Sequence, residues 1–218
     1  MKSSLFILMI LLSNMLLAKE YSPAELNAAL SNFDYRDLLV RRIDKDALFN
    51  YRGAGQSINY YLRTGKIHDI QDSKRKHNRY IKSIDRIINK SPMLPSNINM
   101  FRGVDMSWRG KLYSIGEVFS DKAFISTSLN YKTASWFAGS GGKSVIYITY
   151  SNRKIKGLWL DTENEEEVLL PRNTVFKVMK EKASNLNERV MIQIVQICEK
   201  VCTNNFISRD TLRVFEKH

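Results

Sequence analysis

The sequence predicts an α+β protein whose helices come first and whose strands come second. Before Pro92 and Pro95, apolar residues keep the three- and four-residue spacing of a helix. After these prolines, short apolar segments alternate with turn residues, as in a chain of strands. Because helices and strands occupy separate halves of the chain, the pattern is not that of an interleaved parallel α/β protein.

The first residues form a segment that the folded protein is expected to lack. Lys2 precedes an apolar stretch over residues 5–17 that only two polar residues interrupt. A membrane-spanning helix needs about 20 apolar residues, so a secretory signal peptide, residues 1–18, is favoured over a membrane anchor. We therefore expect cleavage near Ala18 and a secreted mature chain, residues 19–218, without stable membrane insertion.

The helical half contains clear start and stop signals. Ser22 to Glu25 have the order of a capping box with proline at the first helical position. We expect Gly53, Gly55 and Gly65 to divide the following region into short helices, and a long helix to end at Ser91 before Pro92. The helical part of the single expected domain covers residues 19–96.

The second half, residues 97–218, is predicted to be mainly β. One helix, about Lys132 to Ala138, interrupts its strands. The predicted strands are Asn99–Gly103, Glu117–Ser120, Ala123–Ser128, Ser144–Tyr150, Gly157–Leu160, Glu167–Leu170, Val175–Met179 and Val190–Cys198.

Composition limits the chemistry that the protein can perform. With 34 Lys and Arg against 22 Asp and Glu, the chain has a formal charge of +12. This charge suits a polyanionic cofactor, an acidic protein, nucleic acid or a membrane surface, and does not choose among them. We interpret the densest basic run, residues 74–79, as a solvated helix face.

Histidine and cysteine are too few to suggest a metal enzyme. The chain has three histidines and two cysteines, so we expect no metal. Cys198 and Cys202 are spaced for a short-loop disulfide in an exported protein, and two free thiols are the alternative. In either state we expect them to be structural.

Three short motifs follow one another on the β half. They are Phe101-Arg102-Gly103, Phe124-Ile125-Ser126-Thr127-Ser128 and Glu165-Glu166-Glu167-Val168-Leu169-Leu170-Pro171. In an extended strand, Glu165 and Glu167 project to the same face and Glu166 points away. Glu163 is also two residues from Glu165, but the Val-Leu-Leu-Pro after Glu167 favours Glu165 and Glu167 as the pair.

With these motifs the sequence resembles the bacterial mono-ADP-ribosyltransferase toxins of the Arg, Ser-Thr-Ser, Glu-x-Glu class. That class contains the clostridial binary-toxin enzymes and small single-domain secreted enzymes. Residues 58–63 also resemble a helix that precedes the arginine strand in this class. The resemblance implies the ADP-ribosyltransferase fold, in which two small antiparallel sheets pack at a steep angle beside an N-terminal helical lobe. It also implies that NAD binds between the sheets as a substrate.

The resemblance assigns different roles to the two glutamates. It implies that Glu167 hydrogen-bonds a ribose hydroxyl, where a fixed carboxylate stabilises the oxocarbenium-like cation formed when the nicotinamide–ribose bond breaks. It assigns Glu165 to orient the acceptor guanidinium and to help remove its proton. An arginine side chain has a pKa above about 12 and is a poor nucleophile until a base takes that proton.

The arginine and serine motifs are expected to bind NAD. Arg102, next to Gly103, suits the pyrophosphate because its planar fork pairs with two phosphate oxygens. By resemblance, Ser126 braces the catalytic glutamate and the nicotinamide ribose, while Thr127 and Ser128 shape the strand behind it.

Three further residues are weaker candidates for the NAD site. Phe137, at the end of the predicted helix, either stacks on nicotinamide or packs in the core. Asn59 and Arg63 are one helical turn apart and either contact NAD or belong to an ordinary helix surface.

The predicted function is that of a secreted, monomeric enzyme that transfers ADP-ribose to an accessible arginine of a target protein, expected to be a host protein. No nucleic acid partner is expected. The turn at residues 161–164 is expected to present the target arginine, with Trp159 or Trp136 as contacts. The alternatives are an NAD glycohydrolase of the same fold and a basic secreted binding protein on an inactive transferase scaffold.

Overall fold

The structure of the protein is a computed structural model. It describes residues 20–67, 73–106, 112–139, 144–160, 166–184, 190–198, 202, 207 and 209–218. The predicted signal peptide therefore lies outside the described residues. The helices of the described chain are α1 (Pro23–Ala29), α2 (Arg42–Thr64), α3 (Lys74–Lys90), α4 (Tyr131–Ala138) and α5 (Arg209–Lys217), with a 3-10 turn at Tyr35–Leu38.

In the described part of the chain, ten strands follow Pro92, and eight of them agree closely with the predicted segments. The prediction missed only the two shortest, β1 and β6. The strands are β1 (Met93–Leu94), β2 (Asn99–Asp105), β3 (Val118–Ser120), β4 (Ile125–Ser128), β5 (Ser144–Tyr150), β6 (Ile155–Lys156), β7 (Leu158–Leu160), β8 (Glu167–Leu170), β9 (Val175–Ala183) and β10 (Val190–Cys198).

Eight of the strands form a sheet in the order β3-β9-β10-β5-β2-β4-β8-β7. Between β2 and β4 the pairing is limited to one residue pair, Phe101 opposite Ser128. The sheet thus consists of a five-stranded segment (β3-β9-β10-β5-β2) and a three-stranded segment (β4-β8-β7). Neighbours are antiparallel except β5 and β10, which run parallel. The separate two-stranded sheet pairs β1 with β6.

Side chains of both segments share one hydrophobic core. Met100, Val145 and Val195 come from the five-stranded segment, and Val168 and Leu170 come from β8. These residues occupy alternate positions on their strands, so each strand directs one face into this core. The prediction of an α+β fold with two small packed antiparallel sheets is confirmed, except that β5 and β10 run parallel.

Helices cover the other face of each segment. The apolar side of α2 and α3 packs on Phe124, Leu158, Leu160 and Leu169 beside and within the three-stranded segment. Residues of α4 and α5 pack on β2, β5 and β10, where Ile146, Ile192 and Ile194 are buried. The two helices of the N-terminal pair run in opposite directions, because the start of α2 contacts the end of α3 through Asp44 and Arg86.

The helical half differs from its prediction at the glycines. Helix α2 runs without a break through Gly53 and Gly55, so the division into short helices is wrong at both positions. Its buried face, with Leu48, Tyr51 and Ile58, packs in the core that α2 shares with α3 and the three-stranded segment. The free energy of this burial outweighs the cost of about 1 kcal/mol for each glycine in the helix.

Other helix ends follow the sequence signals. Gly65 ends α2 with a left-handed φ of 70°, and Ser91 ends α3 as predicted. The amide of Ser22 and the amide of Glu25 each donate to the other residue's side chain, which completes the expected capping box.

The carboxyl end of the chain holds two features that the sequence did not determine. Helix α5 was not predicted, and its Val214 and Phe215 are buried against the five-stranded segment. Cys198 and Cys202 form a disulfide, which decides between the two alternatives. Within the described part of the chain, no helix combines the length and apolar character needed to cross a membrane.

Candidate active site

Strands β4 and β8 bring the serine motif and the second glutamate together. Ser128 lies opposite Glu167, and Ser126 lies opposite Leu169. Because side chains alternate along a strand, Ser126, Ser128 and Glu167 project to one face of the sheet. Thr127 projects to the other face, where its hydroxyl donates to the carbonyl of Val168 at 2.7 Å. The Glu167 side chain is almost buried, at 5% exposure.

Arg102 reaches this pair of strands from β2. Its Nη1 donates to the backbone carbonyl of Ser126 at 2.5 Å. Since β2 and β4 share only one residue pair, this contact bridges the point where the two segments of the sheet join. The structure therefore places Arg102 beside the serine strand, as the motif order suggested.

Strand β2 and helix α4 approach each other so closely that only glycine fits at position 103. A Cβ atom at this position would lie 1.8 Å from the backbone oxygen of Ala134 and 2.5 Å from the backbone nitrogen of Ala138. Helix α4 thus rests directly on β2. This packing role was not expected from the sequence, and the NAD contact predicted for Gly103 stays a prediction.

Helix α2 supplies a buried tyrosine that the sequence analysis missed. Tyr51 is 4% exposed, and its ring packs edge to face on Phe124 with centroids 5.8 Å apart. Its hydroxyl accepts a hydrogen bond from Asn59 Nδ2 at 3.2 Å. The Asn59 Oδ1 is buried and has no hydrogen-bond partner among the described residues. The Asn59 amide is therefore positioned by Tyr51 and keeps one buried acceptor that no described residue uses.

The charges of the site act on Tyr51. Burial raises the pKa of its hydroxyl, and the negative charge of Glu167 raises it further. The hydrogen bond from Asn59 and the positive charges of Arg102 and Arg63 oppose this shift in pKa. Residues of α2, β2 and β8 thus lie close enough to Tyr51 for their charges to affect its pKa. In the sequence, Tyr51 looked only like a core aromatic on a helical face.

Arg63 is engaged within the protein. Its Nε and Nη2 donate to the two carboxylate oxygens of Asp121 at 2.9 and 2.7 Å. Asp121 also accepts from the amide of Ala123, just before β4. This ion pair ties the end of α2 to the serine strand, a link that sequence spacing does not reveal. A contact between Arg63 and NAD stays a prediction.

The aromatic candidates separate into exposed and buried residues. Phe137 is 48% exposed and Trp136 is 76% exposed, with their rings edge to face at 4.9 Å. Phe137 is thus not a core residue, while its stacking on nicotinamide stays a prediction. Trp159 is 2% exposed and donates from Nε1 to Asn27, so it is unsuited to touch a target protein. Trp136 keeps that predicted role.

The first glutamate of the pair, Glu165, lies outside the described residues, as does the turn at residues 161–164. Glu166 is described, and its φ of 46° is left-handed, with its carbonyl accepting from the amide of Leu129. The extended strand begins only at Glu167. The pairing of Glu165 with Glu167 therefore stays a prediction from the motif.

The described residues contain no group of three or more His, Cys, Asp and Glu side chains that could hold a metal ion.

Two curated relatives align with much of this chain. One is Mav of Mycobacterium avium strain 104, which carries the provisional name NAD(+)–arginine ADP-ribosyltransferase; it is 24% identical over 175 residues, 78% of this chain and 20% of that protein. The other is uncharacterized protein R217 of Acanthamoeba polyphaga mimivirus, 31% identical over 141 residues, 56% of this chain and 18% of that protein. The chain thus spans about a fifth of the length of these relatives.

Solved structures share the fold at low sequence identity. The Clostridium limosum C3 exoenzyme matches with a TM-score of 0.64 at 21% identity, over 83% of this chain and 97% of that one. The Vis toxin of Vibrio splendidus, an ADP-ribosyltransferase, matches with a TM-score of 0.61 at 22% identity, over 85% and 90%. Such similarity establishes the ADP-ribosyltransferase fold.

The family follows from the sequence itself. A model of the ADP-ribosyltransferase exoenzymes matches residues 30–199, which include α2, the arginine strand, the serine strand and the glutamate strand. Because this match extends over most of the 218 residues, the protein belongs to the ADP-ribosyltransferase exoenzyme family.

Proposed function

We propose that this protein is a secreted enzyme that transfers ADP-ribose from NAD⁺ to an arginine side chain of a target protein. The observation that carries the proposal is the buried carboxylate of Glu167, which shares a face with Ser126 and Ser128. Arg102 and the Tyr51–Asn59 pair stand beside this face.

The site fits NAD as a substrate. A nearly buried carboxylate stabilises the positive charge that develops on ribose, because that charge is poorly screened away from water. The guanidinium of Arg102 suits the pyrophosphate. The buried Oδ1 of Asn59, which has no partner among the described residues, suits a hydroxyl or amino donor of the nucleotide. Among related structures, C3stau2 of Staphylococcus aureus was solved with NAD, and BECa of Clostridium perfringens was solved with NADH.

Arginine is the acceptor that the first glutamate favours. In the proposed reaction, the bond between ribose and nicotinamide breaks and nicotinamide leaves with the bonding electrons. A guanidinium nitrogen then bonds to the ribose carbon, and its proton passes to Glu165 acting as base. Two relatives support this acceptor: the name of Mav specifies arginine, and Vis was solved with agmatine, which carries a guanidinium.

The remaining parts of the proposal concern the setting of the reaction. The apolar segment before Ala18 supports secretion through a signal peptide. The target is proposed to be a host protein with an exposed arginine, and the enzyme is proposed to act as a monomer.

Labelled NAD⁺ provides the test. The mature chain is incubated with label on the adenylate part of NAD⁺, together with polyarginine or a cell lysate, and Glu167→Gln is the inactive control. We expect labelled protein, with a linkage that survives acid and is cleaved by neutral hydroxylamine. Free ADP-ribose alone would indicate an NAD glycohydrolase, and unchanged NAD⁺ would indicate an inactive binding scaffold.

A further inference from the structure

The outward faces of α2 and α3 concentrate positive charge. Together these helices contain eleven Lys and Arg residues and three Asp residues. All three acids are engaged: Asp44 is buried between two arginines, Asp85 pairs with Arg172, and Asp46 lies 4.0 Å from Arg42. Most of the bases are exposed with no ion-pair partner among the described residues. They are Lys45, Arg52, Lys74, Arg75, Arg79, Lys82 and Lys90.

Two apolar side chains protrude among these bases. Phe49 on α2 and Val40, which precedes this helix, are each 80% exposed. No other large apolar side chain in the described chain is as exposed. Lys45 lies one turn before Phe49 and Arg52 one turn after it, and both are exposed. Arg42, a further turn away, has a side-chain exposure of 95%. The start of α2 thus presents apolar groups surrounded by cations.

We propose that this surface, the α2 basic face (Val40, Arg42, Lys45, Phe49 and Arg52), docks on a bilayer that contains anionic phospholipid. The bases pair with headgroup phosphates and carboxylates, each adding to the attraction near a negative surface. Phe49 and Val40 enter the boundary between headgroups and acyl chains, where burial of apolar area adds to binding. The exposed bases of α3 extend the positive surface beside them.

Other ligands fit these observations less well. A cavity of about 210 Å³, lined by residues that include Asn27, Phe33, Tyr35 and Trp159, contains none of the residues of this face. Single-stranded nucleic acid binds basic side chains through its phosphates and stacks its nucleobases on aromatic rings, which accounts for an exposed Phe49. It does not account for Val40, since an aliphatic side chain offers no ring for stacking. A bilayer can bury both apolar side chains.

Docking in this way keeps the NAD site close to the membrane. Asn59 lies ten residues after Phe49 on the same helix, which corresponds to about 15 Å along its axis. Docking itself does not depend on transferase activity. If the proposed transfer to arginine is also correct, the favoured targets are proteins at a membrane surface.

The test is co-sedimentation with vesicles, using the mature chain because the apolar leader would itself partition into lipid. Vesicles of phosphatidylcholine alone are compared with vesicles that contain about 30% phosphatidylserine. We expect binding only to the second kind, and its loss at about 0.5 M salt. Arg42→Glu with Lys45→Glu is expected to weaken binding at least about thirtyfold. Phe49→Ser is expected to weaken it about tenfold.

The control variant reverses the same number of positive charges at positions outside the α2 basic face. Lys132→Glu with Lys154→Glu reverses two exposed bases on other elements and is expected to leave binding within about threefold of the original, since docking depends on short-range contacts at the α2 basic face. Equal losses in the two charge-reversed proteins would overturn the proposal, because adsorption would then follow net charge alone. Binding to a DNA oligomer without binding to vesicles, abolished by the Arg42 and Lys45 changes, would assign the face to nucleic acid and also overturn it.

Discussion

Glu167 combines burial with a position among polar side chains. At 5% exposure it is held on β8 opposite Ser128, and its charge acts on Tyr51. A charge held in this way does not need to reorganise when positive charge develops on a substrate. This burial supports the proposed role of Glu167, which is to stabilise the transition state more than the bound substrate.

The two glutamates are expected to respond differently to mutation. Glu167→Gln removes the charge that stabilises the ribose cation, so NAD⁺ cleavage and transfer to arginine should both fall at least about a hundredfold. Glu165→Gln removes only the proposed base for the acceptor, so transfer should be lost while measurable NAD⁺ cleavage remains. Nicotinamide release and label incorporation measure the two activities. Equal loss of both activities in the two variants would contradict these roles.

Arg102 is expected to bind phosphate through its geometry as well as its charge. Arg102→Lys keeps the charge but loses the planar fork, so NAD⁺ binding should weaken about tenfold, as expected when one charge-assisted hydrogen bond is lost. Quenching of tryptophan fluorescence measures the affinity. Arg153→Lys, at an exposed turn after β5, is the matched control and should bind NAD⁺ normally. Unchanged affinity in Arg102→Lys would remove this residue from the site.

At the scale of elements, the site depends on how closely helices approach the sheet. Helix α4 rests on β2 at Gly103, and α2 is tied to the serine strand through Arg63 and Asp121. At its other end, α2 is tied to α3 by Asp44, which pairs with Arg41 and Arg86 and accepts from Ser83.

Gly103→Ala is expected to destabilise the protein by about 3 kcal/mol, because the new methyl group would overlap backbone atoms of α4 that cannot move alone. Gly53→Ala is the control, since no atom lies within 4 Å of its Cβ position and the helix should gain up to about 1 kcal/mol. Denaturant unfolding measures both. Equal stability of the two variants would show that α4 can shift on β2.

Asp44→Asn is expected to cost about 3 kcal/mol at neutral pH, because it removes the buried charge that pairs with Arg86 and Arg41. Although burial raises the pKa of Asp44, hydrogen bonds from Arg41, Arg86 and Ser83 hold it well below its ordinary value. A carboxyl with a lowered pKa in the folded state stabilises the protein above its unfolded pKa of about 4, and that stability is lost as the pH falls further.

The stability difference between the original protein and Asp44→Asn should therefore shrink as the pH falls from about 5 to about 2. Thermal unfolding across this range measures it. A difference that stays constant with pH would show that the Asp44 charge does not contribute to folding.

At the scale of the whole molecule, three hydrophobic cores share the strands of one eight-stranded sheet. The first is formed by side chains of both segments, and the other two lie under α2 and α3 and under α4 and α5. Five strands, β2, β5, β7, β8 and β10, line the first core with one face and another core with the opposite face. The layers therefore depend on one another.

This arrangement predicts a single cooperative unfolding transition for residues 19–218, as expected for one domain. Circular dichroism and tryptophan fluorescence should report the same midpoint, and saturating NAD⁺ should raise it. Two separated transitions would indicate that the helical part and the mainly β part fold as independent units.

The sequence alone determined the order of helices and strands, most strand limits and the motif residues Arg102, Ser126 and Glu167. These features depend on local periodicity, turn residues and short motifs, which are properties of neighbouring residues.

Tertiary contacts decided the rest. They carry α2 through Gly53, bury Trp159, and bring Tyr51 of α2 close to the charges of Glu167 and Arg102. Each of these outcomes depends on residues that meet only when the layers pack. Burying a large side chain contributes more free energy than a local propensity of about 1 kcal/mol or less. The local sequence therefore could not decide these outcomes.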